Sequence, residues 1–165
     1  MATLTLIGKG GHGQDIAASI RGFDFAWVEH HTDRWDQTGE YILGMNDLRL
    51  RTRISEELRQ VDMAWKSPHA LLVRDCTYGP GTHINYAVTM TRTTLGHHCT
   101  VSPGVTICGD VTIGDRTLIG AGAVICDRVT IGNNVTIGAG TIILPETVVG
   151  DGETWVGNPG RRIKP

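Results

Sequence analysis

Three histidines crowd a short stretch of the chain, His83, His97 and His98. Imidazole titrates near neutrality, so such residues serve as general bases for a reacting nucleophile or as metal ligands. No histidine follows His98, and the four cysteines (Cys76, Cys99, Cys108, Cys126) show no CxxC spacing. A zinc centre is therefore not expected, and the cysteines read as small buried side chains rather than disulfides. The second chemical signal lies at the start, Gly8-Lys9-Gly10-Gly11-His12-Gly13, between an apolar stretch at residues 3–7 and a helical pattern over residues 14–20. Strand, glycine-rich turn and helix together aim backbone N–H groups at a phosphate.

These groups need a scaffold, and the composition narrows it. With 165 residues, 40% apolar and 19% charged, the chain reads as folded, with one domain or a small domain joined to a repeat. A net charge of −2 gives no basic stripe for nucleic acid and no polybasic membrane anchor. No apolar run approaches the roughly 20 residues that cross a bilayer, and the N-terminus lacks a signal-peptide pattern, so a cytoplasmic protein is expected. Glycine, at 22 of 165 residues, is nearly twice its usual share of about 7%.

The glycines fall in a repeat. Every sixth residue from Leu95 is aliphatic: Leu95, Val101, Ile107, Ile113, Ile119, Ile125, Ile131, Ile137, Ile143, Val149. Two residues earlier runs a register of small or β-branched side chains, from Thr93 and Cys99 to Thr141 and Thr147. One residue later come mostly glycines, among them Gly96, Gly114, Gly120, Gly132, Gly138 and Gly150. β-branched residues favour extended backbone, and an adjacent glycine is read as permitting a sharp corner. Such a unit buries its apolar side only by stacking, which predicts a parallel solenoid with its aliphatic register along a shared axis. Cys108 and Cys126, 18 residues apart, would then stack at one corner.

The repeat resembles the hexapeptide-repeat acyltransferases, whose coils of three hexads form a left-handed parallel β-helix. On that resemblance, residues 95–149 make about three coils, preceded by one irregular coil over 76–94. The opening residues 6–13 look like those of the sialic-acid O-acetyltransferase and bacillosamine-pathway N-acetyltransferase group. Leu43-Gly44-Met45-Asn46-Asp47-Leu48-Arg49, Ser67-Pro68-His69-Ala70 and Val156-Gly157-Asn158-Pro159-Gly160-Arg161 resemble three further segments of that group. The resemblance implies an α/β Rossmann-like mini-domain over 1–68, with strands at 3–7, 25–28 and 41–43, and an all-β left-handed β-helix with a C-terminal tail over 69–165. It implies a homotrimer, a sugar or nucleotide-sugar substrate, and acetyl-CoA as acyl donor without a metal. Gly8, Gly10, Gly11, His12, Gly13 and Asn46 would hold the nucleotide. Gly109, Gly120, Ala121, Gly138, Asn158, Pro159 and Arg161 would hold coenzyme A. The first domain is short, and Met45 stands where the group has an acidic residue.

The group's catalytic motif reads roughly Asn-Thr-x-Ala-x-Val-Glu-His-Asp-Cys-x-Ile-Gly. Laid back without gaps from its Ile-Gly end at Leu95-Gly96, it puts Thr91 at the base and Arg92 at its acidic partner, with the second family histidine falling on Thr100. Both histidines are absent. His97 and His98 stand nearby as substitutes, against the plain alternative of a solvated corner. An amino sugar deprotonates unaided near neutrality, whereas a hydroxyl does not, so N-acylation is the more credible chemistry. A catalytically silent binding or scaffold trimer stays open beside the enzyme. A hexapeptide-repeat carbonic anhydrase is disfavoured, since the later coils offer no histidine ligand.

Overall fold

The computed structural model describes residues 70 and 72–163, together with the strands β1 (Thr3–Ile7), β2 (Asp24–Val28), β3 (Tyr41–Leu43) and β4 (Trp65–Lys66). The first three pair in parallel in the order β2-β1-β3. The three sequence-read strands of the first segment are thus present; the helical pattern at 14–20, and the charged amphipathic one that the sequence also carries over 46–60, lie outside the described residues.

From β4 onward the chain winds into a parallel β-solenoid with three faces. The first face stacks β4, β7 (His83–Ile84), β10 (Thr100–Val101), β13 (Leu118–Ile119), β16 (Thr136–Ile137) and β19 (Thr154–Val156). The second stacks β5 (Leu72–Arg74), β8 (Thr89–Thr91), β11 (Thr106–Ile107), β14 (Val124–Ile125) and β17 (Ile142–Ile143). The third stacks β6 (Thr77–Tyr78), β9 (Thr93–Leu95), β12 (Val111–Ile113), β15 (Thr130–Ile131) and β18 (Val148–Val149). The solenoid therefore makes about five turns, more than the four read from the repeat. At its end β20 (Arg161–Ile163) turns back to pair antiparallel with β19.

The core is the expected one. All ten aliphatic positions from Leu95 to Val149 are at most 3% exposed, and the register two residues earlier is buried with them from Thr93 to Thr141. The core also reaches back through Ile84, Val88 and Met90. These escape the six-residue count because one corner is short. From Thr106 onward successive strands step by six, as in Thr106, Thr112 and Leu118, and coils repeat every 18 residues. Earlier, Leu72 pairs with Thr89, Thr77 with Thr94 and His83 with Thr100, a spacing of 17. The residue is missing at the second corner of two successive coils, between Val73 and Tyr78 and again between Met90 and Leu95, so the phase slips at each and the irregular coil is a regular one with clipped corners.

The glycines do different work from that expected. The residues with positive φ at the corner after the third face are Gly81 (φ 68), His98 (φ 55), Arg116 (φ 54), Asn134 (φ 57) and Gly152 (φ 71), not Gly96, Gly114 or Gly132. Those three glycines instead leave room for the next coil. A Cβ on Gly96 would strike the Asp115 carboxylate, one on Gly114 the Asn133 amide oxygen, and one on Gly132 the Asp151 carboxylate. Each of these side chains accepts a hydrogen bond from a backbone N–H of the preceding coil: His97 N to Asp115 Oδ1 (2.9 Å), Asp115 N to Asn133 Oδ1 (2.8 Å), Asn133 N to Asp151 Oδ1 (2.7 Å). Corner amides outside the strand ladders thus find partners. No helix among the described residues is long and apolar enough to cross a membrane.

Candidate functional site

Three corners run along the solenoid, and the sequence-read residues divide among them. The first corner, between the first and second faces, carries Gly120-Ala121-Gly122 and, one coil on, Gly138-Ala139-Gly140. The two tripeptides stack: Gly140 N donates to Ala121 O at 2.9 Å, and Gly120 N to Ile137 O at 2.8 Å. Ala121, Gly122, Ala139 and Gly140 are exposed, so this ridge offers solvent nothing larger than a methyl group. A Cβ on Gly120 would lie 2.5 Å from Ala139 N and 2.7 Å from Gly138 C, which fixes glycine there.

The C-terminal tail docks beside this ridge. Ile142 N donates to Gly157 O at 3.0 Å, and Gly160 N donates back to Ile142 O at 2.7 Å. Gly160 is buried, and a Cβ on it would press on Ile143 Cδ1 at 2.9 Å and Ile142 O at 3.0 Å. Asn158 and Pro159 form the exposed apex of this turn, and Arg161 opens β20 with its Nη1 donating to Gly160 O. The structure thus brings Gly120, Ala121 and Gly138 onto one edge and docks the turn holding Asn158, Pro159 and Arg161 on neighbouring β17. Gly109 does not join them; it sits on the second corner. A smooth ridge ending in a turn with an arginine suits a thin flexible chain ending in phosphates, the shape and charge of coenzyme A.

The second corner, between the second and third faces, is where the family base was sought. Here the gapless alignment is corrected. The motif has three residues, Glu-His-Asp, between its inward Val and Cys, whereas Met90 and Thr93, both buried, are separated only by Thr91 and Arg92. The next coil has three at the same place, Cys108, Gly109 and Asp110. Arg92 (φ 44) and Asp110 (φ 61) are the equivalent turning residues, and Asp110 N donates to Arg92 O at 3.0 Å. Thr91 therefore stands one residue before the base position, and that position has no residue at all.

Arg92 occupies the space. Its guanidinium lies over Gly109, where any Cβ would collide with it. It grips Asp110 with both ends, Nε to Oδ1 at 3.0 Å and Nη2 to Oδ2 at 3.3 Å. The hydrogen bond and charge of Asp110 raise the Arg92 pKa, and the same bond holds the Asp110 carboxyl below its usual range. Both side chains are more than half exposed, so the pair adds little stability. Two coils on from Arg92, Arg128 repeats the pattern on Glu146 (2.9 Å), and Asp127 Oδ1 accepts from Gly109 N (3.0 Å). Cys108 and Cys126 stack here as the repeat predicts, both as free thiols. Burial, with Asp127 beside it, pushes the Cys108 thiol up, away from nucleophilic thiolate.

The histidines are dispersed. His97 and His98 lie on the third corner, one face on from Thr91, with His97 exposed against Gly79 and His98 half-buried. The Asp115 carboxylate accepts from the backbone N–H of His97. His83 is fully buried on β7, and Thr100 beside it on β10 is 2% exposed. Gly8, Gly10, Gly11, His12, Gly13 and Asn46 lie outside the described residues. Among the described residues no three His, Cys, Asp or Glu side chains gather as a metal site. What sequence reasoning passed over is the second half of the ridge, Ala139 and Gly140, although the 18-residue echo of Gly-Ala-Gly signalled it.

Comparison with known proteins agrees with this geometry. Residues 92–127 match the bacterial transferase hexapeptide family (six repeats), and residues 110–145 match the hexapeptide repeat of succinyl-transferase. No curated protein matches the chain in sequence. Among solved structures, a mutant of perosamine N-acetyltransferase from Caulobacter crescentus, in complex with CoA and GDP-perosamine, matches with TM-score 0.82 at 21% identity, covering 100% of this chain and 98% of that one. The acetyltransferase domain of PglB from Neisseria gonorrhoeae matches with TM-score 0.74 at 22% identity, covering 99% and 100%. WeeI from Acinetobacter baumannii matches with TM-score 0.72 at 17% identity, covering 99% and 100%. Residues 92–145 match hexapeptide-repeat models, and the chain has the fold of a left-handed-type parallel β-solenoid. The solved structures whose fold it shares include sugar acetyltransferases, the group its sequence resembles.

Proposed function

We propose that the chain is a coenzyme A-dependent acetyltransferase acting on the amino group of a nucleotide-linked sugar, assembled as a homotrimer. The observation that carries this reading is the bare Gly-Ala-Gly ridge leading toward the Asn158-Pro159 turn, next to a corner with no base. Acetyl-CoA would lie along Gly120, Ala121 and Gly138 with its phosphates toward Arg161, Gly109 being contributed from a neighbouring subunit's corner. Gly8, Gly10, Gly11, His12, Gly13 and Asn46, in a Rossmann-like unit over residues 1–68, would take the nucleotide. The solved structures of similar fold that hold CoA and GDP-perosamine support the same pairing of ligands.

The chemistry follows from what the second corner lacks. An unprotonated amine attacks the thioester carbonyl, the C–S bond breaks, and the coenzyme A thiolate takes up the proton the nitrogen sheds. An amino sugar with a pKa near that of an α-amino group, about 7.7–8.0, offers a useful free-base fraction without help. A hydroxyl offers none, so the acceptor is an amine. Holding the two reactants together then supplies most of the acceleration. His97 and His98 remain candidates for a base acting across a subunit boundary.

One observation favours a second reading, a silent binding trimer: the Arg92 guanidinium sits over Gly109 where the base would work. A thermal shift with acetyl-CoA separates the two, since a ligand at 100 times its Kd adds about 2.7 kcal/mol of stability. A shift with acetyl-CoA, followed by acetylation of a nucleotide-linked amino sugar and not of its hydroxyl analogue, establishes the enzyme. No shift in a folded trimer establishes the silent binder.

A further inference from the structure

The C-terminal turn that the proposed function assigns to coenzyme A is held from behind by one carboxylate. Glu153 stands just before β19, its side chain only 16% exposed. Its Oε2 accepts from the Trp155 indole Nε1 at 2.8 Å and from Gly150 N at 3.0 Å. Its Oε1 pairs with Arg162 Nη1 at 3.1 Å. Three elements therefore converge on one group: the last corner after the third face at Gly150, β19 through Trp155, and β20 through Arg162. Trp155, half-buried against the core, anchors the cluster to the solenoid.

β20 needs such an anchor. It pairs only with β19 among the described strands, all three of its residues are exposed, and the turn before it rests on the Gly157 and Gly160 contacts with Ile142. A three-residue strand with no buried side chain contributes little to its own retention. Arg161 and Arg162 are adjacent in that strand and so point to opposite sides. The Arg162 ion pair on one side thereby sets where Arg161 is presented on the other.

We propose that Glu153 is a positioning residue for the acetyl-CoA site: it fixes β20 so that Asn158, Pro159 and Arg161 meet the donor already arranged. The inference rests on the acetyltransferase reading and adds to it a residue that touches no substrate. Breaking the clasp removes preorganisation, which lowers affinity without altering the reacting atoms.

The test combines two readouts on the full chain with Glu153→Ala, Glu153→Gln and Arg162→Gln. Trypsin cleavage after Arg161, a site that every variant keeps, followed by mass spectrometry, reports release of β20 without any ligand. It is expected to accelerate about tenfold in Glu153→Ala and less in Glu153→Gln, which keeps an acceptor for Trp155 and Gly150. The KM for acetyl-CoA is expected to rise about tenfold in Glu153→Ala, with kcat at saturating donor within about twofold of wild type. Faster cleavage with an unchanged KM makes the clasp structural only and overturns the proposal, as does unchanged cleavage. A fall in kcat at unchanged KM overturns it too. If Glu153→Ala fails to fold, Glu153→Gln and Arg162→Gln carry the same comparison at smaller amplitude. Wild-type protein that binds no acetyl-CoA by calorimetry instead refutes the acetyltransferase reading, and the positioning role falls with it.

Discussion

Replacing Thr91-Arg92 by Glu-His-Asp would return the clipped corner to full length and test the mechanism at its weakest point. The present step from buried Met90 to buried Leu95 is five residues, while the step from Ile107 to Ile113 directly above is six. One inserted residue therefore brings the coil to the 18-residue repeat of its upper neighbours rather than disturbing it. Removing Arg92 also clears the space over Gly109, and the loss is an exposed ion pair of little energetic weight. The inserted imidazole would stand beside Gly109 of the next coil, where a base could meet the acceptor. Positioned general bases contribute roughly 10²–10⁴-fold. The clearest readout is the pH profile of kcat/KM for an amino-sugar acceptor. In wild type the rising limb should follow the amine alone, about 7.7–8.0, so only about 5% of the acceptor is reactive at pH 6.5. In the variant a second limb near 6.5 should appear and the rate at pH 6.5 should gain most. A folded variant that binds acetyl-CoA normally yet keeps the wild-type rate and profile would place the acceptor elsewhere. A wild-type limb already near 6.5 that vanishes in His97→Ala or His98→Ala would refute the base-free mechanism outright.

Ile119→Ala should cost about 2–5 kcal/mol by chemical denaturation, since Ile119 is 0% exposed in mid-solenoid, whereas exposed Thr130→Ala should stay within about 0.5 kcal/mol. Gly120→Ala should destabilise more than Gly122→Ala, because the first methyl meets backbone at 2.5 Å and the second meets nothing within 4 Å and suffers only its φ of +67°. Of this pair, only Gly120→Ala should also shift the neighbouring ridge and weaken acetyl-CoA binding measured by calorimetry. Cys108 should alkylate more slowly than a simple thiol at pH 7.5 and gain rate only at higher pH, because burial raises its pKa and depletes its thiolate; mass spectrometry of iodoacetamide-treated protein checks this.

The core was readable because one physical requirement recurs without exception: every sixth residue from Leu95 to Val149 must reach the axis, and all are buried. The reading stopped at Leu95 for an equally physical reason. Deleting one corner residue leaves strand stacking intact but moves the inward register by one, so Ile84 and Met90 fall out of step while packing in the same core. Glycine misled in a different way. Its position beside the aliphatic register suggested backbone freedom, but what the coil needs at Gly96, Gly114 and Gly132 is the absence of a Cβ under an Asp or Asn of the next turn. Whether a glycine serves a positive φ or a close approach depends on the residue 18 positions away, which a local pattern does not contain.

The candidate site was legible in the same proportion as its periodicity. Gly120 and Gly138 stand in the register after the aliphatic one, while their assignment to the donor, with Ala121 and the tail, comes from the family resemblance alone. The catalytic corner was not legible, because aligning a motif along the chain assumes a constant number of residues per turn. Met90 and Thr93 are both buried, which leaves two residues for a turn that the next coil makes with three. Once that register is fixed, Thr91 ceases to be a degenerate base and Arg92 becomes the residue that defines the corner, over Gly109 and on Asp110. A guanidinium there cannot accept a proton, and its charge is matched by the Asp110 carboxylate. On the proposed reading, a corner without a base and a ridge for the acyl donor belong to one enzyme because a free amine attacks without a base.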